Sequence, residues 1–149
     1  MQVVVGCGPT GSALAARLDS ESDQVAVVDL DGASRHRLPA AFRGTFLEGD
    51  GVNRAVLEAA GIQHAEVLIA VSSSDSTNVV VARVARDVFR VPHVVGRIDD
   101  PDSVRFGTDL GLTMIASVRT LESGDVVSFM VAAGSLGRLR SFLGGRWPQ

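Results

Sequence analysis

Val3-Val4-Val5-Gly6-Cys7-Gly8-Pro9-Thr10-Gly11 lies at the head of the chain and decides its reading. Three consecutive valines are a buried strand, over about residues 2–5. The glycines that follow fit G-x-G-x-x-G and lead into a helix over about residues 11–18, with Leu14, Ala15 and Leu18 on one face. Each glycine has a distinct physical task. Gly6 permits the tight turn, Gly8 lets the backbone approach a pyrophosphate, and Gly11 lets the helix pack closely on the strand. The helix N-terminus then offers unpaired amides and a positive dipole end to phosphates. Glycines also make ordinary turns, so the pattern needs a second signal. Val25-Ala26-Val27-Val28 supplies it: a second apolar strand that ends in Asp29, eighteen positions past Gly11. That spacing suits an acid that hydrogen-bonds an adenosine ribose.

Working outward, apolar runs keep alternating with helical stretches. Strands are expected over residues 44–47, 67–71, 93–98 and 112–116. Helices are expected over 33–38, stopped by Pro39, over 52–60, ended by Gly61, and over 77–89, where Val80, Val84 and Val88 recur at helical spacing. A further helix begins at Pro101 and ends at Gly111. Strands that alternate with helices and are apolar throughout call for a parallel sheet covered on both faces. The expected fold is therefore α/β, a Rossmann-like doubly wound six-stranded parallel sheet over residues 1–117. The stretch 118–136 reads as one C-terminal crossover helix, apolar at Val118, Leu121, Val126, Phe129, Met130 and Ala133 and weakened by Gly124 and Gly134. Residues 137–149 read as a linker or truncated tail.

In such sheets a ligand sits beyond the carboxyl ends of the strands, at the switch point. Asp29, Asp50, Ser72 and Arg97 fall at or near strand ends, and with Asn78 they are candidates for one crevice. Each also has a plain alternative as a helix cap or a surface charge. Asp29 would repel a 2′-phosphate, which favours NAD over NADP, although Arg35 and Arg37 are near enough in sequence to soften the preference.

Composition narrows the function. The 149-residue chain is the size of one domain, with net charge −3 and no long run of one sign, which argues against a nucleic-acid surface. The apolar run Val67 to Val71 is far short of a membrane span, and the first strand leaves no room for a leader, so a cytoplasmic protein is expected. The single cysteine, Cys7, excludes an internal disulfide and reads as a small side chain packed in the glycine turn. All 14 basic residues are arginine, and there is no tyrosine. Without lysine the chain cannot build a phosphate-binding P-loop, a kinase site or a Schiff base. His36, His64 and His93 lie away from the expected crevice and read as surface residues. No catalytic residue and no metal ligand is assigned.

Several motifs coincide with one family. Gly6 to Gly11, Val27-Val28-Asp29-Leu30-Asp31, Gly49-Asp50-Gly51 with Val56 to Ile62, Ala65 to Val71, Asp75-Ser76-Thr77-Asn78 and Val95 to Pro101 follow in order over nearly all of residues 1–117. Together they resemble the RCK/KTN, or Trk-type N-terminal, regulatory domain of bacterial potassium-uptake systems and potassium channels. The resemblance implies a domain that binds NAD or NADH, or in some members ATP/ADP or AMP, and is no enzyme. It implies a homodimer, built partly through the helix after the sixth strand, in a ring-like assembly at the inner face of the membrane beneath an integral-membrane potassium transporter or channel subunit. By position, Gly6, Cys7, Gly8, Pro9, Thr10 and Gly11 would hold the phosphates. Asp29 and Leu30 would meet the adenosine ribose, and Asp50 and Gly51 the adenine side. Ser72, Ser73 and Asn78 would lie beside the ligand, with Arg97 near its phosphates. Members tuned to ATP often carry arginine in the glycine loop, where this chain has Pro9-Thr10; that leans toward a dinucleotide. The family usually continues into a smaller C-terminal ligand-binding subdomain, and this chain ends at Gln149. Two other readings stand beside this one: the cofactor-binding half of an NAD-dependent dehydrogenase, and a purely structural dimerisation domain.

Overall fold

The computed structural model describes residues 1–21, 24–100, 103, 107, 109, 110 and 112, and the strand backbone of 113–118 and 128–131. Strand β1 (Gln2–Val5) runs up the middle of the sheet. Helix α1 (Pro9–Glu21) returns the chain to β2 (Val25–Asp29). A 3-10 turn (Gly32–Arg37) then leads toward edge strand β3 (Thr45–Glu48). Helix α2 (Arg54–Ala59) and a second 3-10 turn (Ile62–His64) carry the chain across to β4 (Val67–Ala70). Helix α3 (Asp75–Asp87) precedes β5 (His93–Ile98), and the sheet ends with β6 (Thr113–Val118) and β7 (Ser128–Val131). The strand order is β3-β2-β1-β4-β5-β6-β7, with the first six parallel and β7 antiparallel to β6. The direction of winding reverses between β1 and β4, so the switch point lies at the carboxyl ends of those two strands.

Two apolar layers sandwich the sheet, and strand alternation sorts the side chains between them. On one face Val4, Val25, Val27, Val67, Ile69, Val71 and Val95 pack with Ala15 and Leu18 of α1. On the other, Val3, Val5, Ala26, Val28, Leu68 and Ala70 pack with Leu57 of α2 and Val81 and Ala85 of α3. The helices also carry exposed i,i+4 ion pairs, Arg17–Glu21, Arg54–Glu58 and Arg83–Asp87. Each such pair contributes only about 0.3–0.5 kcal/mol, against about 1.5–3 kcal/mol for burying one valine or leucine. The valine-rich sheet therefore dominates the stability.

Four sequence expectations change. Helix α1 starts at Pro9, ahead of Gly11, because proline has no N–H to lose in a first turn and its φ is already helical. The helix expected over 52–60 shortens to α2, since Asn53 caps it by accepting from the Ala55 amide; Gly61, with φ of 81°, follows its end. On α3 the buried face is Asn78, Val79, Val81, Ala82 and Ala85, whereas Val80 and Val88 are about half exposed. Finally, Ser128–Val131 is a strand where a helix over 118–136 was expected, and Val118 closes β6. Val126-Val127-Ser128-Phe129-Met130-Val131 is rich in β-branched and aromatic side chains, and β6 offers it an open edge. The rest of 118–136, and the whole of 137–149, lie outside the described residues.

Candidate functional site

The glycine turn closes the carboxyl end of β1, and its three glycines have different surroundings. Gly6 has φ of 104°, in the left-handed region, and its amide donates to the Val28 carbonyl at 2.8 Å. A Cβ there would stand 2.7 Å from the Ser72 amide nitrogen, so the two loops at the switch point touch backbone to backbone. A Cβ on Gly11 would run into the Gly6 carbonyl oxygen and come within 3.2 Å of Val71 Cγ2. A Cβ on Gly8 would meet nothing within 4 Å. Two glycines thus let parts of the chain approach one another, and the third borders open space. The first amide of α1 to bond back is that of Ser12, which donates to the Gly8 carbonyl at 2.9 Å. The amides of Gly8, Thr10 and Gly11 precede the helical ladder, where a helix N-terminus presents its donors. Pro9 is exposed.

Asp29 closes β2 and reaches across to that turn. One carboxylate oxygen accepts from the Cys7 amide at 2.5 Å and the other from the Asp31 amide at 2.8 Å. Each oxygen has two acceptor positions, so one on each is left for a further donor such as a sugar hydroxyl. Leu30 beside it is 74% exposed, the most exposed large apolar side chain among the described residues. Asp31 caps the 3-10 turn by accepting from the Ala33 amide at 2.9 Å. Cys7 is fully buried, and its thiol donates to the Ser34 carbonyl at 3.5 Å. Burial pushes the Cys7 thiol above its ordinary value, so it stays protonated and inert.

The remaining candidates sit on neighbouring strand ends. Asp50 is exposed and accepts from the Val52 amide at 3.0 Å, shaping the turn after β3. Gly51 is buried, and a Cβ there would strike Val5 Cγ1, which places this turn against the end of β1. Ser72 is half-buried and Ser73 exposed. Asn78 is fully buried. Its amide oxygen accepts from Ser72 N and Ser72 Oγ, both at 2.8 Å, and its amide nitrogen donates to the Ser72 and Arg97 carbonyls, both at 2.9 Å. That side chain ties the β4–α3 loop to the end of β5 and spends its hydrogen-bonding capacity on the chain itself. Arg97 makes a bidentate pair with Asp99, 3.0 Å from Nε to Oδ1 and 2.7 Å from Nη2 to Oδ2. The Asp75 carboxylate accepts from the Asp99 and Asp100 amides at 2.9 and 3.0 Å and fixes this loop to the start of α3.

The structure therefore brings Gly6, Gly8, Gly11, Asp29, Gly51, Ser72 and Arg97 to one edge of the sheet. Sequence reasoning missed Asp75 and Asp99 as scaffolding groups. An acid at the first position of a helix and a second one directly after a strand were visible, but their meeting depends on the β4–β5 pairing. His64 and His93 are exposed at the opposite edge, where the His93 amide donates to the Glu66 carbonyl at 3.1 Å. Among the described residues no three metal-ligating side chains gather, and no helix is long and apolar enough to cross a membrane.

The TrkA-N domain family profile matches residues 2–118. The Trk system potassium uptake protein TrkA of Streptomyces coelicolor is 43% identical over 117 residues, covering 78% of this chain and 52% of that protein. The protein of the same name from Vibrio alginolyticus is 31% identical over 100 residues, covering 67% of this chain and 22% of that one. The chain thus spans about half, or less, of the length of these relatives. Among solved structures, the TrkA-N domain of the Escherichia coli inner membrane protein ybaL superposes with a TM-score of 0.67 at 18% identity, over 95% of this chain and 93% of that one. The Kef CTD of Shewanella denitrificans, solved in an AMP-bound form, gives a TM-score of 0.63 at 19% identity, over 74% of this chain and 66% of that one. At such identities these structures speak for the fold.

Proposed function

The chain belongs to the TrkA-N domain family, and on that premise we propose that it is an adenine-nucleotide-binding regulatory module for potassium transport, with no reaction of its own. One observation carries the reading: Gly8 borders open space at the mouth of α1 while the Asp29 carboxylate is bonded to the next-door Cys7 amide. Backbone amides and a carboxylate thus lie side by side, which supports a site for phosphate and ribose. In this account Gly8, Pro9, Thr10 and Gly11 face the phosphates, with Arg97 near them, Asp29 and Leu30 face the ribose, Asp50 and Gly51 the adenine, and Ser72 and Ser73 lie beside the ligand. Gly6, Cys7 and Asn78 hold the frame. NAD or NADH is the favoured ligand, since Asp29 disfavours a 2′-phosphate; ATP, ADP and AMP share the adenosine end. The AMP-bound Kef neighbour supports occupancy of that end.

The module acts on an integral-membrane potassium transporter or channel subunit from the cytoplasmic side, as a homodimer or larger ring. The Trk names of the relatives support that setting. A nucleotide can regulate only by binding one arrangement of the assembly better than another. Calorimetric titration with NAD, NADH, ATP, ADP and AMP is the direct test. Saturable binding of at least one of them, with no turnover of 2-hydroxy acids or aldehydes in the presence of NAD, is expected. Binding of none, or steady turnover, would overturn the reading.

A further inference from the structure

The partner of Arg97 carries an inference that rests on the nucleotide reading and goes beyond it. Strand alternation settles which way Arg97 faces. Val95 lies in the apolar layer with Ala15 and Leu18 of α1, whereas Ile98 lies in the opposite layer with Val79 and Ala82 of α3. Arg97, two residues past Val95, shares the α1 side. The β4–β5 register pairs Ala70 with Gly96, so the next step along sets Arg97 beside Val71. Val71 Cγ2 in turn stands 3.2 Å from where a Cβ on Gly11 would be, in the first turn of α1. The Arg97 side chain therefore rises one strand spacing, about 4.8 Å, from a residue that touches the phosphate-facing helix end. It is only 19% exposed, and its guanidinium is held bidentately by Asp99.

We propose that Asp99 is a built-in competitor for the anion site: its carboxylate and a ligand phosphate contend for the one Arg97 guanidinium. A phosphate and a carboxylate offer the same paired oxygens to the same fork of N–H donors, so one replaces the other without a new geometry. The exchange taxes anionic ligands only. The adenosine end, read by Asp29, does not feel it. Occupancy by a phosphate takes the Arg97 guanidinium from the Asp99 side chain, while the Asp99 and Asp100 amides stay bonded to Asp75 at the start of α3.

The test is a double-mutant cycle on the full chain with Asp99→Asn and Arg97→Gln, read by calorimetric affinity for ADP and for adenosine. Asp99→Asn should tighten ADP about 3- to 10-fold, the scale of a partly buried ion pair, and leave adenosine within about 2-fold. In the Arg97→Gln background the same substitution should give no tightening. Unchanged or weakened ADP affinity in Asp99→Asn would overturn the proposal. So would equal tightening without Arg97, which would mean a mere change of local field. Asp99→Ser, read in the same way, serves should the asparagine variant fail to fold. Failure of the parent chain to bind ADP or NADH removes both this inference and the nucleotide reading, whereas binding with a flat cycle removes this one alone.

Discussion

Both carboxylate oxygens of Asp29 are engaged by backbone amides, one from the glycine turn and one from its own strand end. The residue therefore orders the loop it would serve. Charge-assisted bonds of this kind contribute about 1.5–3 kcal/mol each when their partners are otherwise left unpaired. Asp29→Ala should weaken adenine-nucleotide binding by about 10- to 100-fold. The apolar layers do not depend on it, so circular dichroism should show an intact fold; affinity equal to the parent's would contradict the assigned role. Cys7 gives a second test at this scale. Its raised pKa means that the folded thiol keeps its proton where an unfolded one has begun to lose it. A thiol reagent should label the native chain slowly and the denatured chain fast. The stability that Cys7 contributes is complete below the unfolded thiol's pKa and is lost as pH rises through the folded one. Rapid native labelling near neutral pH would show the thiol to be accessible and activated. The position of Asp29 was legible from the strand pattern and spacing alone. Its grip on the Cys7 amide was not, because that contact depends on how β1 and β2 register.

Among the elements, the strand–turn–helix opening separates packing from ligand contact. Gly11→Ala should destabilise the fold by about 2–4 kcal/mol, since its Cβ would collide with the Gly6 carbonyl oxygen and neither backbone can give way. Gly8→Ala should cost the fold less than about 0.5 kcal/mol, because a Cβ there meets no neighbour, yet weaken nucleotide binding sharply. Thermal melts would separate the two variants, Gly11→Ala losing stability and Gly8→Ala keeping it; equal losses of stability would contradict the open space at Gly8. Asn78→Ala removes a buried side chain with four hydrogen bonds and should lower stability by about 2–4 kcal/mol. The same element shows where pattern reading stops. Val80, Val84 and Val88 recur at helical spacing, but α3 turns Val81, Ala82 and Ala85 inward. Val79, Val80, Val81 and Val84 lie around the helix, so periodicity alone does not choose the buried face; the docking of the helix on β4 and β5 does.

At the scale of the whole molecule, the parallel sheet with helices on both faces was readable because its strands are apolar throughout and its turns are punctuated by glycine and polar caps. The seventh strand was not: Val126 to Val131 suits either a helix or a strand, and the open edge of β6 settles it. The order of the sheet is what gathers the site, since only the reversal between β1 and β4 sets the Gly6 and Ser72 loops in contact. Amide NMR shifts during titration with NADH or ADP test that gathering most directly. The account expects the largest shifts at Gly6 to Gly11, at Asp29 to Asp31 and at Ser72, with saturation at one affinity, while the opposite edge at Glu66 and His93 stays still. Saturable shifts centred on that opposite edge, or none at the glycine turn, would contradict it.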